Sequence, residues 1–398
     1  PGGLFVQWVQ AYSLFPEDFR MVLATFTPHF PQVTLWRGES PDYILLGQAE
    51  AAPLTLDRLR ADWANPALSA DFDRLGMKSP EGLLAYHRLD DADLRRLIAG
   101  AAPNTDDRTL LEYHAPRGLL ERGLEDKNHY AIWKARTNAL SRIVGVDEPI
   151  AALEAAADTL LNIEDDDAQY FIGYLSDEPS TAQLELLRGR WHLAKSQLGE
   201  AKDAFSIALR LDPTSLRAAN GLAEVARRQG QDDNAELLFR QVLARDPKSL
   251  PALRGLMRIA RNREQWDLAA EWQAILLKLY PDSDADEYTR LGEVLSAAGK
   301  TDLAERAFVA ALEREPYSYA AHRNLGESYR QKKQWDLAEQ HLSLVVRFDP
   351  DGDASTYTAL AEVYRATGRP QAATEILRKG LRIFPDNAEI KRLLAATK

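Results

Sequence analysis

The stretch YTRLGEVLSAAGKTDLAERAFVAALEREP, from Tyr288 to Pro316, decides how this chain reads. Tyr288, Leu291 and Leu295 recur at three- and four-residue intervals, the period of an amphipathic helix. Phe308 and Ala311 mark a second helix after Gly299, a turn residue. Pro316 closes the second helix because proline does not continue one easily. Gly292 and Ala304 are small enough to let the two helices approach, and Phe308 fills the space beside them.

The same arrangement returns along the second half of the chain. Pro213, Pro247, Pro281, Pro316, Pro350 and Pro385 are spaced by 34, 34, 35, 34 and 35 residues. A period near 34 marks an array of helical hairpins. Twelve residues before each proline stands an alanine: Ala201, Ala235, Ala269, Ala304, Ala338 and Ala373. Eight before it stands Phe205, Phe239, Gln273, Phe308, Leu342 or Leu377, with Gln273 the departure from large apolar residues. Twenty-four before it stands Gly189, Ala223, Met257, Gly292, Gly326 or Ala361. The inter-helix turn carries Gly230, Gly299 and Gly368, with Ser196, Glu264 and Lys333 at the equivalent places. Ile390, Leu393 and Leu394 at helical spacing give residues 386–398 the look of a capping helix.

Bulk composition narrows the function classes. The net charge of −11 argues against general nucleic-acid affinity. There is no cysteine, so disulfides, thiolate metal sites and cysteine nucleophiles are excluded. No apolar run reaches the roughly 18 residues that span a bilayer, and no signal peptide is visible. The chain opens on Pro1, which creates the expectation of a segment upstream. The seven histidines are dispersed without i, i+4 metal spacing, and there is no P-loop, G-x-S-x-G or H-E-x-x-H motif. The acidic run Glu164-Asp165-Asp166-Asp167 lacks the glycine and terminal glutamate of a calcium loop and reads as a solvated helix start. Trp266 and Trp335 recur in register, as packing residues do.

The 34-residue pattern over 182–385 resembles the tetratricopeptide repeat, in six copies. The resemblance implies an α-solenoid whose first helices line a groove that holds a protein or peptide partner. In that family the second, fifth, ninth, twelfth and thirteenth positions of each repeat face the groove. Carried over here, they include Arg217, Asn220, Arg227 and Arg228 in the second repeat and Arg254, Arg258 and Arg261 in the third. Arg323 and Arg330 fall there in the fifth, with Arg190 and Arg365 at the ends. Glu224, Asp286, Glu293, Glu327 and Glu362 share those positions. Arginine forks suit carboxylates, so one reading is a groove for an acidic or C-terminal peptide. The other is that these arginines pair with neighbouring glutamates and solvate the face.

The amino-terminal piece reads differently. Gly3 to Gln10 is an apolar run of β-formers. Pro16 to Phe30 has helical periodicity with a proline and acids at its start. Val33–Arg37 and Tyr43–Gly47 read as a hairpin around Gly38-Glu39-Ser40-Pro41-Asp42. One strand, a helix and a hairpin are too little for a domain, so a larger sheet or a docking surface is expected. The blocks PGGLFVQW, PEDFRMVLATFTPHFPQVTLWR and YILLGQ, with APNTDDRTLLEYHAPR from Ala102 to Arg117, are similar to the closing part of the spermidine/spermine synthase family, the polyamine aminopropyltransferases. The membrane-fused bacterial branch is the nearest in pattern. The resemblance implies a remnant of a Rossmann-like, methyltransferase-type α/β sheet. It implies decarboxylated S-adenosylmethionine as a cofactor of a longer parent, with the nucleoside loop and catalytic Asp outside this chain, so that this chain alone is not catalytic and itself holds no cofactor. It carries over Gln7 as a substrate contact, against a Gln bonded to backbone. Asp106 and Asp107 would lie near a cationic amine, or would form a helix cap. It implies a cytoplasmic place, or one at the cytoplasmic face of a membrane.

Between the two, 51–181 reads as a helical connector. Helices are expected over Leu54–Trp63, from Pro80 through His87, over Asp91–Ala99, Asn128–Val144 and Pro149–Leu161. The expected whole is mainly α: an α/β remnant over 1–50, the connector, six repeats over 182–385 and a cap over 386–398. Two functions compete: a scaffold that binds a protein partner, and an aminopropyltransferase parent for which the repeats are regulatory.

Overall fold

The computed structural model describes residues 3–11, 14–38, 42–51, 56–74, 77–105, 111, 121, 123–136, 149–162, 165–175 and 179–396. They form two compact units, Pro1–Ala218 and Ala219–Lys398. The fold is mainly α, with one small sheet in the first unit.

In the first unit, β1 (Leu4–Gln10) leads to α1 (Pro16–Phe26), and the hairpin β2 (Gln32–Arg37) and β3 (Asp42–Gln48) follows. β3 pairs antiparallel with both β1 and β2, so β1 and β2 run parallel with β3 between them. Helices α2 (Asp57–Trp63) and α3 (Pro66–Arg74) come next, then a 3₁₀ turn over Pro80–Ala85 and a fourth strand, β4 (His87–Leu89). The sequence reading runs a helix through His87; the structure breaks it at Ala85. β4 pairs with β2 and completes the order β1-β3-β2-β4. His87, Arg88 and Leu89 are all buried, so both faces of this strand are covered and no polar–apolar alternation betrays it.

Helix α4 (Asp91–Leu97) and helix α5 (Leu124–Ala135) join α1 over the sheet. Their core holds Phe19, Leu23, Val33, Leu35, Leu45, Leu94 and Ile132. The helix expected to reach Val144 stops at Ala135, and its remainder lies outside the described residues, as does Leu54. A second core gathers Leu84, Trp133, Phe171, Leu184 and Leu187 with the alanines of α6 (Pro149–Asn162). It joins α6 and α7 (Ala168–Tyr174) to α8 (Ala182–Ala194), the first helix of the first pair. The far edge of β1 has no strand partner among the described residues, and Leu4 and Trp8 are 58% and 60% exposed.

From Ala182 onward the helices come in pairs. α8 precedes α9 (Leu198–Leu211), and α10 (Leu216–Arg228) precedes α11 (Asp232–Arg245). Then come α12 (Leu250–Asn262) with α13 (Trp266–Leu279), α14 (Ala285–Ala297) with α15 (Thr301–Arg314), and α16 (Tyr319–Gln331) with α17 (Trp335–Phe348). α18 (Ala354–Ala366) pairs with α19 (Pro370–Ile383), and α20 (Ala388–Ala395) closes the chain. Every second helix stops two residues before its proline. In the second unit each second helix from α11 on packs against the first helix that follows it, and α20 packs on α18 and α19.

The recurring residues meet as their sizes require. The six alanines are at most 1% exposed. A Cβ added to Gly292 would lie 2.3 Å from the Phe308 ring, and one on Gly326 would lie 2.7 Å from Leu342, so neither position has room for a side chain. Gln273, in the place of a phenylalanine, is fully buried and donates to the Glu287 carbonyl at 3.0 Å and to its carboxylate at 2.9 Å.

All six inter-helix turns use one left-handed residue. φ is 74° at Gly230, Gly299 and Gly368, and 58°, 57° and 59° at Ser196, Glu264 and Lys333. A residue with a Cβ is disfavoured there by about 1–2 kcal/mol, partly offset by glycine's larger unfolded-state entropy. Glu264→Gly and Lys333→Gly are therefore expected to stabilise the chain by up to about 1 kcal/mol each. Gly299→Ala is expected to destabilise it by a similar amount. Urea denaturation midpoints check this, and a lower midpoint for either glycine variant contradicts it.

Candidate functional site

The positions carried over to the groove lie on the first helices of the pairs, and the structure gives each a definite set of partners. Arg227 grips Glu224 with two bonds, Nε to Oε2 at 2.8 Å and Nη2 to Oε1 at 2.7 Å, and Arg228 adds a third at 3.0 Å. Arg254 reaches across to the next pair and donates to Glu287 at 2.9 Å, and Arg290 shares that carboxylate at 3.0 Å. Arg323 pairs with Asp353 at 3.1 Å. Arg330 pairs with Glu327 and with Glu362. In the first unit, Arg217 and Arg190 both pair with Asp158. Most of these arginines therefore already hold carboxylates of the chain itself.

Arg258 and Arg261 do not: neither makes an ion pair among the described residues. Arg258 is exposed on α12 and helps to wall a cavity of about 290 Å³ with Asn220, Glu224, Phe239, Leu250 and Arg254. Desolvation is the largest influence that lowers the Arg258 pKa; nearby Arg227, Arg254 and Arg290 lower it further while Glu224 opposes them. Around it the guanidiniums of residues 227 and 228 gather on Glu224 and those of 254 and 290 on Glu287, with Asp286 4.0 Å from Arg290. Asn220 spends its NH₂ on the Ser249 hydroxyl at 3.1 Å, and its buried carbonyl oxygen has no partner. A cation and an unused acceptor on one wall are equipped for a carboxylate and a main-chain N–H.

The candidates of the amino-terminal piece do not come together in this way. Gln7 is exposed on β1, and its amide donates to the neighbouring Trp8 carbonyl at 2.8 Å. It borders an apolar cavity of about 410 Å³ walled chiefly by Phe5, Phe26 and Phe30. Asp106 and Asp107 lie outside the described residues.

Two clusters escape sequence reasoning. In the acidic run read as a solvated helix start, Asp165 and Asp167 are instead anchors, while Glu164 lies outside the described residues. Asp167 Oδ2 accepts from Arg88, itself fully buried, at 2.6 Å and from Arg37 at 2.8 Å. Its Oδ1 lies 2.8 Å from His129 Nε2, which also faces the Trp133 indole N–H at 2.7 Å, and Tyr43 bonds the other nitrogen of that ring at 3.0 Å. Burial pushes Asp167 upward, but the His129 hydrogen bond and the charges of Arg88 and Arg37 outweigh it and hold the carboxyl below its ordinary range. Burial pushes the Tyr43 phenol up to about 12. In sequence the partners lie up to 130 residues apart, so no local pattern signals them. The second cluster joins two histidines of one pair: His322 Nδ1 lies 2.8 Å from His341 Nδ1, and His322 Nε2 donates to the Pro316 carbonyl at 3.0 Å. Two nitrogens are not a metal site, and no group of three or more metal-ligating side chains occurs among the described residues. No helix of the described residues is long and apolar enough to cross a membrane.

Comparison with known proteins agrees with the pairing of helices. Two family models, both described as tetratricopeptide repeat, match residues 186–249 and 317–386, and the chain carries an array of these repeats. No curated protein matches it. Among solved structures, the chain is similar to YrrB, a TPR protein with an unusual peptide-binding site, at 20% identity and a TM-score of 0.43, over 48% of this chain and 98% of that one. It is similar to the APC/C hetero-tetramer Cut9-Hcn1 at 22% identity and 0.47, over 77% of this chain and 63% of that one. It is similar to pilF of Pseudomonas aeruginosa at 19% identity and 0.45, over 54% of this chain and 97% of that one.

Removing the carboxylate at Asp167 leaves the buried Arg88 without its counter-charge. Asp167→Asn is expected to destabilise the first unit by about 3–5 kcal/mol, read by chemical denaturation; a loss below about 1 kcal/mol contradicts the anchoring role. Burial, with the charge of His322, lowers His341 from 6.5 to about 4. The unfolded chain then binds more protons than the folded one between those values, so stability is full above pH 6.5 and lost as pH falls toward 4. His341→Gln is expected to flatten that part of the stability–pH curve, and an unchanged slope contradicts the assignment.

Proposed function

We propose that the repeats act as a protein-interaction scaffold and that the first-helix face of the second unit binds an extended, acidic segment of a partner. The observation that carries this reading is Arg258: a cation with no ion pair among the described residues, beside a cavity and next to arginines whose own pairs are made with Glu224 and Glu287, on a chain of net charge −11. Arg258 receives a carboxylate of the ligand, the free carbonyl of Asn220 accepts a main-chain N–H, and Arg261 extends the charge one turn along α12. Arg227, Arg254, Arg323 and Arg330 keep their internal partners and shape the face of the second unit, while Arg217 stays with Asp158 in the first.

The test uses a fluorescent glutamate-rich peptide. Arg258→Glu is expected to weaken binding about tenfold or more, and rising salt weakens it further. Arg254→Glu is the poorer probe, because it sets a second carboxylate against the buried Glu287. Unchanged affinity in Arg258→Glu overturns the reading.

The amino-terminal sheet favours a second proposal, that this piece closes an aminopropyltransferase-type sheet. Its support is the resemblance of the sequence together with the free, apolar edge of β1. On that reading the chain alone forms no methylthioadenosine from decarboxylated S-adenosylmethionine and a polyamine, and product formation by this chain contradicts it.

A further inference from the structure

A cavity of about 610 Å³ lies at the other end of the repeats, between α16, α18 and the closing helix α20. It falls within the roughly 300–1,000 Å³ of ligand pockets. Three of its four arginines are neutralised in place: Arg323 by Asp353, Arg330 by Glu327 and Glu362, and Arg392 by Glu389. Arg365 is the exception. Among the described residues no carboxylate pairs with it, and its Nη2 donates to the Leu393 carbonyl of α20 at 3.0 Å. That bond holds the guanidinium at the cavity wall and leaves donors over, since the group carries five N–H bonds.

Thr356 is a second, independent mark. It belongs to the same wall, is 2% exposed, and its hydroxyl has no hydrogen-bond partner. A buried hydroxyl without a partner destabilises the free protein, and a polar group of a ligand in the cavity would satisfy it. Leu342, Ala361 and Leu393 supply the apolar part of the lining.

We propose that this cavity is a binding site for an extended peptide segment that places an aspartate or glutamate side chain on Arg365 and small apolar side chains against Leu342, Ala361 and Leu393. The closing helix is on this account one wall of a binding site as well as the end of the core. The inference rests on the proposed reading of the first-helix face and extends it to a second cavity, which shares no lining residue with the one at Arg258 and so is tested apart from it.

The chain has no cysteine, so Ala366→Cys, at an exposed position next to Arg365, accepts an environment-sensitive dye that reports on this cavity alone. The probe is an octapeptide of alternating Glu and Ala, acetylated and amidated at its ends. Saturable dye response is expected, weakened at least tenfold by Arg365→Gln, largely restored by Arg365→Lys and unaffected by Arg258→Glu. Thr356→Val is expected to weaken the peptide several-fold while it raises the thermal midpoint, a combination that a purely structural role does not produce. If Arg365→Gln fails to fold, the Thr356→Val pair of readings decides. Absence of saturation, equal affinity in the variants, or a response only to peptides with a free C-terminal carboxylate overturns the proposal.

Discussion

The repeats depend on one steric constraint: the two helices of a pair must lie close, and in the first, fourth and fifth pairs a phenylalanine or leucine of one rests on the bare backbone of a glycine in the other. Gly292 under Phe308 and Gly326 under Leu342 leave no space for even a methyl group. The close approach is possible only if the chain reverses within a few residues, and the left-handed residue at each turn does this. Three of the six turns use a residue other than glycine and accept the strain. Packing at the small positions therefore governs, and the local preference of the turn residue yields to it.

The first unit rests on a different interaction. Its sheet is too small to exclude water by itself, and β4 contributes only three residues. What fixes β4 is the pairing of Arg88 with Asp167, which also draws in Arg37 from β2 and His129 from α5. A fully buried guanidinium is tolerated only with its counter-charge and its hydrogen bonds in place. Strand, helix and acidic loop are thus bound to one another by a condition that none of them satisfies alone.

These two interactions explain what could be read from the sequence. The helix pairs were legible because their constraints are local and repeat: alanine at one place, a bulky residue four positions on, a proline two residues past each helix end. The hairpin of β2 and β3 was legible from its turn. β4 was not, because a strand buried on both faces lacks alternation and follows a 3₁₀ turn that mimics the start of a helix. Nothing local in Glu164–Asp167 marks the anchoring role of Asp165 and Asp167, because their partners are remote in sequence. The groove positions carry over as a list of arginines, but which of them are already neutralised depends on geometry across neighbouring pairs. Arg254 looks as available as Arg258 until Glu287 is placed beside it.

That difference bears on how such a face can select a ligand. A paired arginine gives a ligand carboxylate little, since the incoming group must displace one already held in good geometry, and the displaced glutamate is left partly buried. An unpaired arginine makes its bond with no such loss. A face dense with internal pairs therefore does not attract acidic chains along its whole length; it holds them where the pairing is incomplete. In the second unit the pairing fails at Arg258 and Arg261 and again at Arg365, and at two of these places a buried polar atom, the Asn220 carbonyl or the Thr356 hydroxyl, is also without a partner. Under the proposed reading, incomplete pairing of a cation beside an unused hydrogen-bonding group is the feature that would separate a recognition position from the charged surface around it.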